Sequence, residues 1–415
     1  MDIQVEQFSE MLMGSLGLSE PWYVSKVEFE APKMAAHIYV EIRKTAAIVC
    51  PKCGGATKRF GYEKKERIWR HADCLFYPCY VHCKRPKVQC PHCGVSQISA
   101  PFERKNSRFT LLFEGFAMMS LPDMPILKAA KLLRCDEKSL VKIMRFWVKK
   151  AVDKSDLSKV TALAIDETSF KRGHNYVTLV IDSQKRCVID VEQGKDKETI
   201  NLFAKKLAEK GGSCDKIKTI TSDMFKAFLP AIAEGFPNAE NVIDKFHVKK
   251  VLMDALEKVR KEEQKTSKNK RTLFQGRRLF MVPERKLTEE QSVKIAELSK
   301  LYPKTGRAYR IVAALDDFYD CETVEEGENC LQKLYSWMRR CRLVPMKKAA
   351  ETLQFHKGKI LAYFKNRVTN AICEGLNSMV QAAKRKARGY RTFEGYEAMI
   401  YLLVGKLDLD VPSPF

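Results

Sequence analysis

Residues 373–390 read CEGLNSMVQAAKRKARGY and set one acid into a basic stretch. From Lys357 to Arg388 there are eight Lys or Arg and a single carboxylate, Glu374. Lys384 and Arg385 follow it ten and eleven positions later, outside the three- or four-residue spacing that pairs charges along a helix. Two further acids are marked by where they fall. Asp166 closes the apolar run of KVTALAID, and Asp223 closes that of IKTITSD. Each is followed by a polar or helical change of direction. Carboxylates at strand ends of an α/β sheet are where ligands and metals gather. An acid there also serves as a plain turn or cap residue.

A second chemistry lies nearer the amino terminus. Cys50 and Cys53 in VCPKCGG, and Cys90 and Cys93 in VQCPHCG, form two CxxC knuckles, each followed by Gly. Each short turn aims two thiolates at one ion, and the glycine lets the chain close round it. Four soft ligands complete a tetrahedron, so the expectation is a structural Zn²⁺ with no open position for substrate. Cys74, Cys79, Cys83, His71 and His92 are surplus to four ligands, although Cys83 or His92 could replace one of them. With no stretch resembling a secretory signal, fourteen cysteines fit a reducing, cytoplasmic setting and a metal site better than a disulfide framework.

The elements that must position these groups are legible in outline. Ile126, Ala129, Ala130 and Leu133 share one helical face, and Leu140, Ile143, Met144 and Trp147 share a second. The break between them holds Asp136, a natural cap, with Glu137 in the first turn that follows. This pair reads either as a base-reading helix-turn-helix or as a helical linker. Strand-like runs return at 160–166, a hairpin is expected over YVTLVIDSQKRCVIDVEQG, and a helix over Lys197–Lys210. Further strands end at Asp223 and near Asp244, each entering a helix, so the central region predicts a mixed α/β sheet. From about Lys249 to Tyr363 the chain reads as charged, amphipathic helices.

The formal net charge is +23, with 45% hydrophobic and 30% charged residues, and nothing approaches a membrane span. That excess argues for an extended anionic partner, nucleic acid before membrane. Phosphate-contact candidates are Arg277 and Arg278 in a tract with nine Lys or Arg against three Glu between Ala255 and Arg278, and Lys384, Arg385, Lys386 and Arg388 after Glu374.

With these residues in view, the sequence resembles the ISL3 group of bacterial transposases, which mobilise insertion sequences. The resemblance covers nearly the whole chain. It rests on the CxxC pairs, WRHAD at 69–73, AIDETSFKRGHNYVTLVID at 164–182, SDMFKAF at 222–228, VIDKFHVKK at 242–250, and RVTNAICEGLNSMVQAAKRKARGYRTFEGY at 367–396. It implies an RNase H-like catalytic core, interrupted by a helical insertion and preceded by a zinc ribbon and a helix-turn-helix. The implied boundaries are 1–48 for an amino-terminal segment, 49–100 for the ribbon and 105–155 for the helix-turn-helix region. The core would occupy 160–250 and 363–415, with the insertion at 251–362.

The implied catalytic triad is Asp166, Asp223 and Glu374, holding Mg²⁺ or Mn²⁺. Phosphodiester cleavage and transfer need an activated oxygen nucleophile and charge stabilisation on the leaving oxygen, which two such ions supply. Hard oxygen ligands suit them. His247, Asn370 and Asn377 would support the site. Partners would be double-stranded DNA at element ends and targets, and further copies of the chain in a homodimer or larger oligomer. Two rivals remain: a catalytically inert DNA-binding regulator, and a general metal-dependent nuclease of similar fold.

Overall fold

Runs rich in Val, Ile and Tyr, bounded by turns, become strands through the amino-terminal region. The computed structural model describes residues 10–171, 175–224, 228–366 and 371–411. Strands β1 (Trp22–Glu30) and β2 (Ala35–Ile42) form an antiparallel hairpin, although the residues ahead of Cys50 drew no element from pattern alone. Strand β3 (Lys58–Tyr62) leaves this sheet, which is completed by β4 (Arg67–Cys74) and β5 (Tyr77–Cys83). Its order is β1-β2-β5-β4, with β2 and β5 parallel. A second sheet joins β3, β6 (Pro86–Cys90) and β7 (Gly94–Gln97). Trp69, Ile38, Val81 and Phe102 pack together as the core of this region. Removing a buried indole of this kind costs about 3–5 kcal/mol.

Three helices follow: α1 (Leu111–Ser120), α2 (Ile126–Leu132) and α3 (Glu137–Asp153). The expected faces are the ones buried, including Ala129 and Ala130 on α2 and Leu140, Ile143, Met144 and Trp147 on α3. Asp136 caps α3, accepting from the Ser139 N–H at 2.8 Å and its hydroxyl at 2.7 Å. Glu114 on α1 is wholly buried yet fully engaged. It accepts from the Arg104 guanidinium at 2.8 Å, the Ser107 hydroxyl at 2.6 Å and the Trp147 indole N–H at 2.7 Å. Trp147 is therefore a core residue tied to α1, as is fitting for an indole whose N–H needs a buried partner.

The chain divides into two units, residues 1–154 with 382–415, and residues 155–381. The second unit is built on a five-stranded sheet of order β10-β9-β8-β11-β12. Here β8 is Ala162–Ser169, β9 Tyr176–Asp182, β10 Cys187–Gln193, β11 Thr219–Ser222 and β12 Glu240–Ile243. The β8–β9 and β9–β10 pairs are antiparallel, whereas β11 runs parallel to both β8 and β12. Helices α4 (Lys197–Glu209) and α5 (Phe228–Gly235) precede β11 and β12. Phe203, Leu207, Phe228, Ile232 and Phe236 bury against Leu163, Ile165, Val180 and Ile220.

The remainder of this unit is helical: α6 (Lys245–Thr266), α7 (Lys270–Gln275), α8 (Glu289–Leu301), α9 (Pro303–Asp320), α10 (Val324–Arg340), α11 (Val344–Phe355) and α12 (Lys357–Asn366). Their facing stripes form one core, with Leu252, Leu256, Ile311, Leu315, Phe318, Met338, Met346 and Ile360 among its buried members. Helix α13 (Ala371–Lys386) carries Glu374, and the boundary between units falls within it. Helix α14 (Phe393–Val404) packs on α3 in the first unit.

Candidate functional site

Parallel pairing sets the acids at one height. Ala164 on β8 is opposite Thr221 on β11, and Ser222 is opposite Ile243 on β12. Continuing those registers brings Asp166, Asp223 and Asp244 level at one end of three neighbouring strands. The apolar run does stop at Asp166, but the strand does not. β8 continues to Ser169 because Glu167, Thr168 and Ser169 remain paired with Thr178, Val177 and Tyr176 of β9. Asp166 therefore sits on a supported strand, while Asp223 follows the end of β11.

Asp166 is half-buried and hydrogen-bonded at both oxygens. Oδ1 accepts from the Glu167 N–H at 2.8 Å, and Oδ2 accepts from the Asn377 side-chain amide at 2.9 Å. His247, in the first turn of α6, brings Nε2 to 4.0 Å from Asp166 Oδ1. Gln381 donates to the Thr168 hydroxyl, a second tie between α13 and β8. Asn377 lies three residues beyond Glu374, so the helical side bearing both is the side docked at Asp166. Glu374 itself is exposed. Asn370 lies outside the described residues.

Glu167 escaped sequence reasoning, which weighed acids where apolar runs end or where one stands alone among cations. Burial raises its carboxyl to about 7, and the charges of Asp223 and Asp166 push in the same direction. Its Oε1 is buried without a hydrogen-bond partner among the described residues, while Lys195 Nζ stands 4.0 Å from Oε2. Cys373 is pushed well up, first by burial and then by Asp166, Asp244 and Glu374. The end of the sheet thus concentrates negative charge in partly desolvated surroundings.

The four cysteines make a tighter cluster. One ligand atom from each of Cys50, Cys53, Cys90 and Cys93 lies within 4.8 Å of all the others. Cys53 and Cys90 sulfurs are 3.6 Å apart. Neither alternative, Cys83 or His92, enters the set. Both knuckle glycines, Gly54 and Gly94, adopt left-handed backbone at φ 71° and 70°. Backbone N–H groups of Lys52 and Cys53 bring the Cys50 thiol down to about 7, whereas hydrogen bonding with Cys53 pushes Cys93 up to about 12. Crowded thiols cannot all ionise without a cation, and a soft tetrahedral ion such as Zn²⁺ suits these donors. Among the described residues only this quartet meets that spacing; the carboxylates of β8, β11 and α13 do not stand as a closed ligand set.

The basic candidates differ in freedom. Arg277 donates to the Phe274 carbonyl at 2.9 Å and lies over its ring at 3.9 Å, while Arg278 is exposed. Arg385, Lys386 and Arg388 are exposed, and Lys384 is half-buried with its ammonium lowered by that burial. Arg388 and Gly389 end α13 in left-handed conformations, the Gly389 N–H reaching the Lys384 carbonyl at 3.0 Å.

The ISL3 type of DDE transposases, a family described as Transposase, matches residues 163–400. The transposase for insertion sequence element IS1557 of Mycobacterium tuberculosis is 24% identical, over 93% of this chain and 93% of its own. The transposase for insertion sequence element IS1001 of Bordetella parapertussis is 25% identical, over 92% of this chain and 95% of its own. No helix among the described residues is long and apolar enough to cross a membrane.

Proposed function

The chain belongs to the ISL3 family of DDE-type insertion-sequence transposases, and from that premise we propose that it binds the ends of its own element and carries out metal-dependent strand cleavage and strand transfer. The observation that carries this reading is the Asn377 hydrogen bond to Asp166. It docks the Glu374 helix against a strand more than two hundred residues earlier, beside which Asp223 follows the end of β11.

The catalytic residues in this reading are Asp166, Asp223 and Glu374. They offer hard oxygen donors, and the half-buried, repelling carboxylates around Glu167 fit a bound divalent cation. Mg²⁺ or Mn²⁺ held there would supply charge stabilisation for a phosphodiester oxygen and activation of the attacking water or 3′-hydroxyl. Asn377 orients Asp166, and His247 flanks the same carboxylate. Helix α13 would position Glu374 at the end of the sheet, and its basic end would hold the DNA backbone. No covalent protein intermediate is required.

Three antiparallel strands followed by two parallel ones, with acids on the first and after the fourth, support an RNase H-like core over 160–250 and 363–415, with a helical insertion at 251–362. The cysteine quartet supports a Zn²⁺ ribbon at 49–100, and the capped α2–α3 pair supports a helix-turn-helix within 105–155. Arg277, Arg278, Lys384, Arg385, Lys386 and Arg388 are the proposed phosphate contacts. Two element ends must be brought together, so the working form would be a homodimer or larger.

The test is Mg²⁺-dependent cleavage of supercoiled DNA carrying the sequences that flank the gene, comparing wild type with Glu374→Gln. Cuts at the ends that vanish in the variant while end binding persists would support the assignment. Equal cleavage by both would remove Glu374 from the site. End binding without cleavage by either would favour a DNA-binding regulator.

A further inference from the structure

The β4–β5 hairpin turns on two residues, Leu75 and Phe76, closed by the Cys74–Tyr77 pair. Both have positive φ, 49° and 68°, in a turn that elsewhere favours Asn-Gly because bulky side chains resist this backbone. Both side chains also point into solvent, 77% and 89% exposed, while the strands behind them bury Trp69, Cys79 and Val81. Local backbone preference and the hydrophobic effect each disfavour this choice. The tip is nevertheless held firmly: Arg134 donates to the Phe76 carbonyl at 2.9 Å and pairs with Asp73 at 3.3 Å.

We propose that Leu75 and Phe76 form an apolar wedge that enters between base pairs of the bound end DNA and unstacks one step. This rests on the DNA-binding reading above and assigns it a site and a deformation. Charge favours that occupant. Between Lys52 and Lys154 there are twenty-two Lys or Arg against nine Asp or Glu. Arg134 also lines, with Leu127 and Lys131, an open cleft at the α2–α3 turn, so the tip adjoins the helix pair read as base-reading. Apolar side chains presented from a basic region are the means by which proteins open and kink a duplex at one step. A second copy of the chain is a poorer occupant, since it would bring its own +23 charge against this basic region.

The test uses wild type and the double variant Leu75→Asn, Phe76→Gly, whose turn residues suit the left-handed backbone and should leave the thermal midpoint equal or higher. Duplexes tiled across the DNA flanking the gene are probed for binding and for permanganate-reactive, unstacked thymines. Wild type is expected to bind an end duplex and expose thymines at a fixed step; the variant should lose that reactivity and bind at least tenfold more weakly. Equal reactivity and affinity in the two proteins would overturn the wedge, as would end binding by wild type with every thymine protected. A change in oligomeric state with end binding intact would assign the tip to protein contact and overturn it too. Failure of wild type to bind any flanking duplex would instead overturn the DNA-binding reading, and the wedge with it.

Discussion

Asn377 donates its amide hydrogen bond to a carboxylate, and hydrogen bonds to charged groups contribute about 1.5–3 kcal/mol. If Asp166 needs that bond to hold its orientation, Asn377→Leu should slow single-turnover cleavage about 10- to 100-fold at saturating end DNA. End affinity should change little, because the amide is directed at Asp166 rather than outward. A loss confined to affinity would make Asn377 a DNA contact instead. At this scale the sequence exposes residues by local contrast: an acid closing an apolar run for Asp166 and Asp223, an acid isolated among cations for Glu374. Glu167 had no such contrast. Its perturbation comes from burial and from Asp223 just past the end of β11, so it depends on a register that one strand's sequence does not contain.

Elements built on short spacing show the same division. The CxxC-Gly knuckles are legible because ligands and turn lie within five residues, and the structure gathers all four cysteines. If the quartet holds a structural zinc, replacing one cysteine should remove the ion and its folding energy, on the order of 10 kcal/mol. Cys53→Ser should therefore reduce bound zinc, read by atomic emission, and strip β3, β6 and β7 of hydrogen-exchange protection while β8–β12 keep theirs. The parallel seat of β2 beside β5 was not legible, because nonlocal pairing leaves no periodic mark on either strand. That sheet carries its own pH dependence through His71 on β4, whose Nδ1 lies 2.8 Å from the Thr110 hydroxyl. Burial, aided by Arg70, lowers His71 to about 4, so the folded form keeps it neutral. Against an unfolded value of about 6.5, stability is full above that pH and falls as pH drops toward 4, by about 2 kcal/mol at pH 5. Urea midpoints at pH 8 and pH 5 should differ accordingly, and His71→Gln should flatten the difference.

Over the whole molecule, net charge is the property read most directly from sequence, since a sum needs no knowledge of the fold. Strand order is the opposite case: the placement of β8 between β9 and β11 depends on pairings spread over some sixty residues, and only the succession of strands and helices was legible. The charge of +23 leads to a prediction that separates holding DNA from cutting it. Each phosphate neutralised releases counterion, so the logarithm of affinity falls with that of salt at a slope of about 0.9 per contact. If exposed Arg385 and Lys386 are phosphate contacts, replacing both with Ala should make the slope shallower by about 1.8, for end duplexes and unrelated duplexes alike. Glu374→Gln should leave the slope within experimental error of wild type, because that substitution removes a carboxylate proposed to hold metal and no cation. An Arg385/Lys386 variant that loses affinity with an unchanged slope would mean that these cations support α13 rather than touch the backbone. The basic surroundings of Glu374 would then belong to folding, and the DNA path would have to run over Arg278 and the cations between Lys52 and Lys154.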